Sequence, residues 1–389
     1  MPFKVLFVSH DASRTGAPIV FLHLLRWIKE NTDAEISILL KSGGDLEKEF
    51  SSFGKKYVFF DAPPKKNFFE KFFDKFYLKY NKQTLKQTQI IKDIREQDFD
   101  LIYCNTVDSH LMVPILKKHT RCPIISHIHE NEYSINSFYL DSMSPAILKN
   151  ISHFIAVSES TRENLINNFN INPNDISLFY PFIPQSKTKN PQIGPQIIRD
   201  ELGLTNEFIV GGSGLGSWRK GIDLFIRLAL ELNKINPLIE VKLIWVGYID
   251  KAVLYGFEYE KKRLGINGKI IFTGVKPNPL DYFQLFDVFA LTSREDPFPL
   301  VCLEAASLGK PIICFEKSGG MVEFVNKGTG WALPYGDIRA MAETILQLEN
   351  NKSEINKRGE MAQLAVRDYD VNLIAPKIFD CIKSIALNG

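Results

Sequence analysis

The chain has 389 residues, 45% of them hydrophobic and 24% charged, with a formal net charge of +2. That apolar share fills two cores of roughly 190 residues each, and the near-balance of charge excludes the one-faced basic excess of a general nucleic-acid binder. The five cysteines, Cys104, Cys122, Cys302, Cys314 and Cys381, form no C-x-x-C pair and no zinc spacing, so they read as buried thiols in a reducing compartment.

The opening MPFKVLFVSH carries a hydrophobic run too short for a secretory signal, and no run of about 18 apolar residues follows anywhere, so the chain is expected in the cytoplasm. FKVLFV begins a series of short aliphatic runs, continued by EISILL, DLIYCN, CPIISH and HFIAVS. Continuous rather than alternating apolar runs, each followed by a stretch of helical period, predict parallel strands covered on both faces. A second series comprises EFIVGG, VKLIWVG, KIIFTG, DVFALTS and KPIICF. Between the two, Pro181, Pro184, Pro191 and Pro195 break any core element and mark a linker. The fold class is therefore α/β, with two Rossmann-like doubly wound domains, residues 1–184 and 185–370, and a final helix over 371–389. Open sheets present ligand crevices at the carboxyl ends of their strands, so polar groups just after strands are the candidates for function.

Three places meet that test. After the first strand, Gly16 opens an amphipathic helix carrying Phe21, Leu24, Leu25 and Ile28; its free N–H groups suit a phosphate, or the turn is a plain strand-to-helix connection. FIVGGSGLGSWRKGIDLFIRLA repeats the pattern with Gly212, Gly214 and Gly216. The dinucleotide fingerprint fails there, because Ser217 replaces the third glycine and no acid stands about twenty residues on. Arg219 and Lys220 at the mouth of the turn fit a diphosphate, the one by its fork and the other as a point charge, or form a solvated basic pair. After DVFALTS, the stretch SREDPFPLVCLEAASLGKP sets Asp296 before a helix start and Glu304 inside the helix, with N–H groups near Phe298, Leu300 and Val301 at the turn between. The two acids are too far apart for one atom but can hold two ends of one elongated ligand. A nucleotide sugar fits: Glu304 on ribose hydroxyls, the helix start at the diphosphate, Asp296 on the sugar. The bland alternative is an Asp296 that only favours the helix start electrostatically.

These segments resemble the family 4 retaining glycosyltransferases of GT-B fold. Their marker, an acid and a glutamate separated by seven residues, matches Asp296 to Glu304, and RTGAPIVFLHLL, HIHENE, IAVSESTRENL, RKGIDLFI, GGMVEFV and KGTGWALPYGD match in order over nearly the whole chain. The first acid is usually glutamate, so Glu295 is a candidate to share its role. The family's usual arginine five residues before the lysine is Leu215 here, with Arg219 as its substitute. The resemblance implies hexosyl transfer from a UDP- or GDP-linked sugar to a hydroxyl with retention, in polysaccharide biosynthesis, and implies that a histidine touches the transferred sugar. In ISHIHENEYSI that is His129, with His127 packed in the strand and Glu130 or Glu132 available to orient the ring. The acceptor, a glycan or lipid-linked glycan, is assigned to the first domain, and the last helix is a candidate to cross back to it.

No third ligand accompanies His127 and His129 at metal spacing. Asp368-Tyr369-Asp370 has the form of a metal-diphosphate motif but precedes the final helix, away from the strand ends, so metal-independent chemistry and no cofactor are expected. The leaving diphosphate would take up the acceptor proton itself. Rival readings are a nucleotide-sugar-binding module without transfer and a GT-B epimerase or phosphorylase; a dinucleotide enzyme is disfavoured by the failed fingerprint. In KKNFFEKFFDKFYLKYNK, residues 65–82, aromatics and lysines segregate to two faces at helical period. That pattern suits peripheral contact with the inner face of a membrane, or a surface helix packing its aromatic stripe on the sheet.

Overall fold

The structure is a computed structural model that describes residues 2–60, 76–185 and 191–388. It divides into two compact units, one of Met1–Tyr180 with Val371–Gly389, the other Pro181–Asp370. The division falls at 180/181, a few residues before the proline-based boundary at 184. The last helix, Val371–Asn388, belongs to the first unit, where Phe379 meets Phe3 edge-on with centroids 6.1 Å apart and lies 6.4 Å from Trp27. The segment 65–82 lies outside the described residues except for the backbone of 76–82, which opens the helix Phe76–Gln97.

Seven strands build the first sheet: β1 (Lys4–Ser9), β2 (Glu35–Ser42), β3 (Lys55–Phe60), β4 (Leu101–Asn105), β5 (Ile124–Ile128), β6 (His153–Ala156) and β7 (Ile176–Leu178). Their order is β3-β2-β1-β4-β5-β6-β7 and every pair is parallel. The second sheet has β8 (Phe208–Ser213), β9 (Val241–Val246), β10 (Ile270–Gly274), β11 (Val288–Leu291), β12 (Ile312–Phe315) and β13 (Gly330–Leu333), ordered β10-β9-β8-β11-β12-β13 and again parallel. All ten continuous apolar runs became strands. Most of their residues are buried, because helices cover both faces of a parallel sheet.

In the second unit the helix Ile222–Ile235 lays Ile222, Phe225, Ile226 and Ala229 on the sheet beside Trp245 of β9. Part of the glycine-rich run serves this packing: a Cβ on Gly212 would stand 2.8 Å from both Phe225 and Trp245, closer than carbon atoms approach. Each sheet reverses its strand order once, between β1 and β4 and between β8 and β11. At such a switch point neighbouring loops diverge to opposite faces and leave a crevice at the carboxyl ends of the strands.

Candidate active site

At the β8/β11 switch point the two loops are tied together by a backbone bond and a side-chain bond. Arg294 N–H donates to Arg219 O at 2.8 Å and Thr292 Oγ1 donates to Gly221 O at 2.8 Å. Gly221 caps the start of its helix at φ +67°, and a Cβ there would lie 1.8 Å from Thr292 O, so only glycine permits this approach. The loops thereby set Lys220 Nζ 2.5 Å from Asp296 Oδ2, Arg219 Nη1 3.9 Å from Asp296 Oδ1, and Ser293 Oγ 3.3 Å from Asp296 Oδ2. Asp296 is only 5% exposed. Its backbone is held as well: Asp296 N–H donates to Ser318 O at 2.7 Å, and Gly320 N–H donates to Pro297 O at 2.9 Å. Of the two acids proposed for the sugar end, Asp296 carries the carboxylate paired with Lys220, while Glu295 gives its carbonyl oxygen to Arg219 Nη1 at 2.8 Å.

Arg294, which the sequence reading passed over, braces this loop. It forks onto Asp223 at 2.8 and 2.6 Å, donates to Trp218 O at 2.6 Å and covers the Trp218 ring at 4.6 Å. Leu300–Ser307 forms the expected helix, with Pro299 as N-cap and no side-chain cap bond; Phe298 is buried just before it, and Leu300 and Val301 form its first turn. Glu304 lies one turn further in. Its side chain is half-buried, and no side chain among the described residues pairs with its carboxylate. Loss of hydration there pushes the carboxyl up to about 7 from its usual range.

In the first unit the site residues collect where β1, β4 and β5 end. Gly16 begins the helix Gly16–Asn31, capped by Thr15 without a side-chain bond; a Cβ on Gly16 would meet nothing within 4 Å, so the glycine is not sterically required. The His127 and His129 rings meet at a tilt of 42° with centroids 4.2 Å apart. His127 lies buried in β5 with Nδ1 2.6 Å from the Tyr103 hydroxyl. His129 Nε2 lies 3.0 Å from Asn105 Oδ1, and burial beside two other imidazoles, His127 and His10, holds its pKa well below the ordinary histidine value. The glutamates do not take the expected ring-orienting place. Glu130 Oε2 instead accepts from the backbone N–H groups of His129 and Val107 at 3.0 and 3.1 Å, and Glu132 is exposed.

His10, Asn105 and Thr106 were missed as site residues, although each stands directly after a strand run or at its end. His10 Nδ1 is 3.0 Å from Thr106 Oγ1, and Asp11 and the Lys41–Asp108 pair complete the rim. The Asp-x-Asp motif is placed differently from its expected remoteness, since Tyr369 stacks on Phe298 with centroids 5.4 Å apart. Its carboxylates are nonetheless engaged elsewhere: Asp368 lies 3.6 Å from Lys327 Nζ, and Asp370 accepts from Gln185 N–H at 3.1 Å. No cluster of three or more histidine, cysteine or acidic side chains suited to a metal occurs among the described residues.

Two doubly wound parallel-sheet units with polar crevices at their switch points define the GT-B class of fold. The chain also matches a family model described as glycosyl transferases group 1 over residues 196–365 and one described as glycosyltransferase family 4 over residues 45–187. It is 34% identical over 177 residues to the alpha-galactosylglucosyldiacylglycerol synthase of Streptococcus pneumoniae, covering 44% of this chain and 45% of that one. It is 25% identical over 252 residues to the N,N'-diacetylbacillosaminyl-diphospho-undecaprenol alpha-1,3-N-acetylgalactosaminyltransferase of Campylobacter jejuni, covering 62% of each. The match thus spans less than two thirds of either relative. Anabaena HepE, crystallised with UDP, superposes with a TM-score of 0.80 at 21% identity over 98% of this chain and 100% of its own. Together these matches show the GT-B fold and a likeness to the glycosyltransferases of family 4.

Proposed function

We propose that the protein transfers a hexosyl residue from a UDP- or GDP-linked donor to a hydroxyl of a glycan or lipid-linked glycan, with retention and without a metal. The observation that carries this reading is Glu304. A half-buried carboxylate, partly shielded from water and paired with no side chain among the described residues, gains most from a ligand that brings paired hydroxyls, as a ribose does. Arg219 and Lys220, ahead of it at the β8/β11 crevice, are assigned to the diphosphate, with the helix start at Phe298, Leu300 and Val301 and that at Gly16 as further donors. Asp296 and His129 are assigned to the transferred sugar.

In the reaction the bond from the anomeric carbon to the donor phosphate oxygen breaks as the acceptor oxygen bonds that carbon on the same face. The acceptor proton passes to the departing phosphate, so the step needs no separate base. The UDP held by HepE and the lipid and lipid-diphosphate words in the names of the two relatives support the donor and acceptor classes. No helix among the described residues is long and apolar enough to cross a membrane, so access to a lipid-linked acceptor is assigned to peripheral contact through residues 65–82. Incubation with UDP- and GDP-sugars tests the reading. Donor hydrolysis or transfer is expected with one of them, together with a thermal shift by the matching nucleoside diphosphate. Nucleotide binding without turnover would leave a binding module.

A further inference from the structure

At the carboxyl ends of β4 and β5, Asn105 is paired in register with His127 and is 1% exposed. Its Oδ1 lies 3.0 Å from His129 Nε2. A carbonyl oxygen only accepts, so this contact is a hydrogen bond only when His129 carries its proton on Nε2. The surroundings hold the pair in place. Thr106, next in the chain, has φ +77°, a conformation that costs a non-glycine residue of order 1–3 kcal/mol and persists only where the structure around it compels it. That constraint is visible: Thr106 N–H donates to His127 O at 2.9 Å, its Oγ1 meets His10, and Glu130 Oε2 ties the backbone N–H of Val107 to that of His129. Two polar atoms at this point, Asn105 Nδ2 and His127 Nε2, are buried without a partner. A buried amide kept with one orphaned donor costs stability, so something other than packing retains it.

We infer that Asn105 is the positioning residue of His129: by accepting the Nε2 proton it fixes the neutral tautomer whose Nδ1 lone pair is offered to a donor hydroxyl of the bound sugar. The assignment of that hydroxyl rests on the proposed glycosyl transfer; the tautomer does not. Neutrality is favoured by burial and by the two neighbouring imidazoles, His127 and His10. The carboxylates of Asp11 and Asp108, the Lys41 ammonium and Glu130 are the other charged groups around these strand ends.

The test uses the full chain with nitrogen-15-labelled histidine, as wild type, Asn105→Ala and Asn105→Asp. Ring-nitrogen NMR of the wild type is expected to show His129 neutral and protonated on Nε2 at neutral pH. Asn105→Asp should keep that tautomer, now held by a carboxylate, and raise the pKa of His129, moving the acid limb of the kcat profile upward. Asn105→Ala should mix the tautomers and lower kcat about tenfold, near the upper effect of one lost hydrogen bond, with little change in donor KM. A wild-type His129 protonated on Nδ1, or a tautomer and pKa unchanged in both variants, would overturn the inference. If the NMR result holds but no nucleotide sugar is turned over, it is the transfer reading that fails, and Asn105 still sets the ring. Should Asn105→Ala not fold, the wild-type spectrum and Asn105→Asp decide alone.

Discussion

Replacing Glu304 by glutamine should stabilise the protein and weaken its donor site, and the first effect should depend on pH. Burial raises the carboxyl to about 7 from its ordinary value near 4.5. For an acid the sign is fixed: the neutral form is tolerated in the folded state, so no penalty exists below the unfolded pKa, and the penalty grows with rising pH until the folded pKa is passed. A shift of that size corresponds to at most about 3.5 kcal/mol at about 1.4 kcal/mol per pH unit; the half-buried side chain retains some water, so on the order of 1–3 kcal/mol is expected. For a domain of this size about 1 kcal/mol moves Tm by roughly 2–4 °C. Calorimetry should therefore show Glu304→Gln melting roughly 3–10 °C above wild type at pH 8, with most of that gain gone at pH 5. Titration with UDP or GDP should show the opposite preference, a loss of roughly 1.5–3 kcal/mol, because hydrogen bonds to a charged acceptor are replaced by bonds to an amide. An equal gain in Tm at both pH values, or none at pH 8, would refute the argument that burial raises the pKa. Unchanged nucleotide affinity would remove the ribose from Glu304.

Lys220→Ala should lower transfer by roughly 10²–10³-fold, as for one preorganised donor, and should also destabilise by up to about 3–5 kcal/mol because Asp296 is left buried without its main partner. Adding Asp296→Ala should recover much of the Tm but none of the turnover; recovery of both would make the pair structural only. Gly221→Ala is expected to lose at least about 1–3 kcal/mol in denaturant unfolding, from the positive φ and the contact with Thr292 O, and a neutral result would mean the loops part easily. EDTA should leave turnover intact, and inhibition reversed by manganese or magnesium would contradict metal-independent transfer. Vesicle co-sedimentation checks residues 65–82: retention by anionic but not zwitterionic lipid is expected, lost when Lys71, Lys75 and Lys79 are changed to glutamate, and equal recovery in both supernatants would refute membrane contact there.

How far the site was legible in the sequence depends on how far each contact reaches along the chain. Continuous runs such as DLIYCN name themselves as strands because both faces are buried. KKYVFF, the edge strand β3, was passed over because its burial alternates, β7 because it has only three residues, and β13 because only its first residue, a glycine, is buried. Single polar groups after strands were equally legible, which is why Lys220, Asp296 and His129 stood out. Their partners were not. Lys220 and Asp296 are separated by 76 positions and meet only because β8 and β11 are neighbours at the reversal of strand order, a fact of topology that no local pattern carries. The same holds in the first sheet, where parallel register sets Ser9 beside Asn105 and Asn105 beside His127. Glutamates next to His129 in sequence drew attention as its orienting groups, yet Glu130 Oε2 is taken up by the backbone N–H groups of His129 and Val107. The His127 ring, two positions back in the chain, meets its ring, and the register that sets Asn105 beside His127 brings the Asn105 amide to its Nε2 from the adjacent strand.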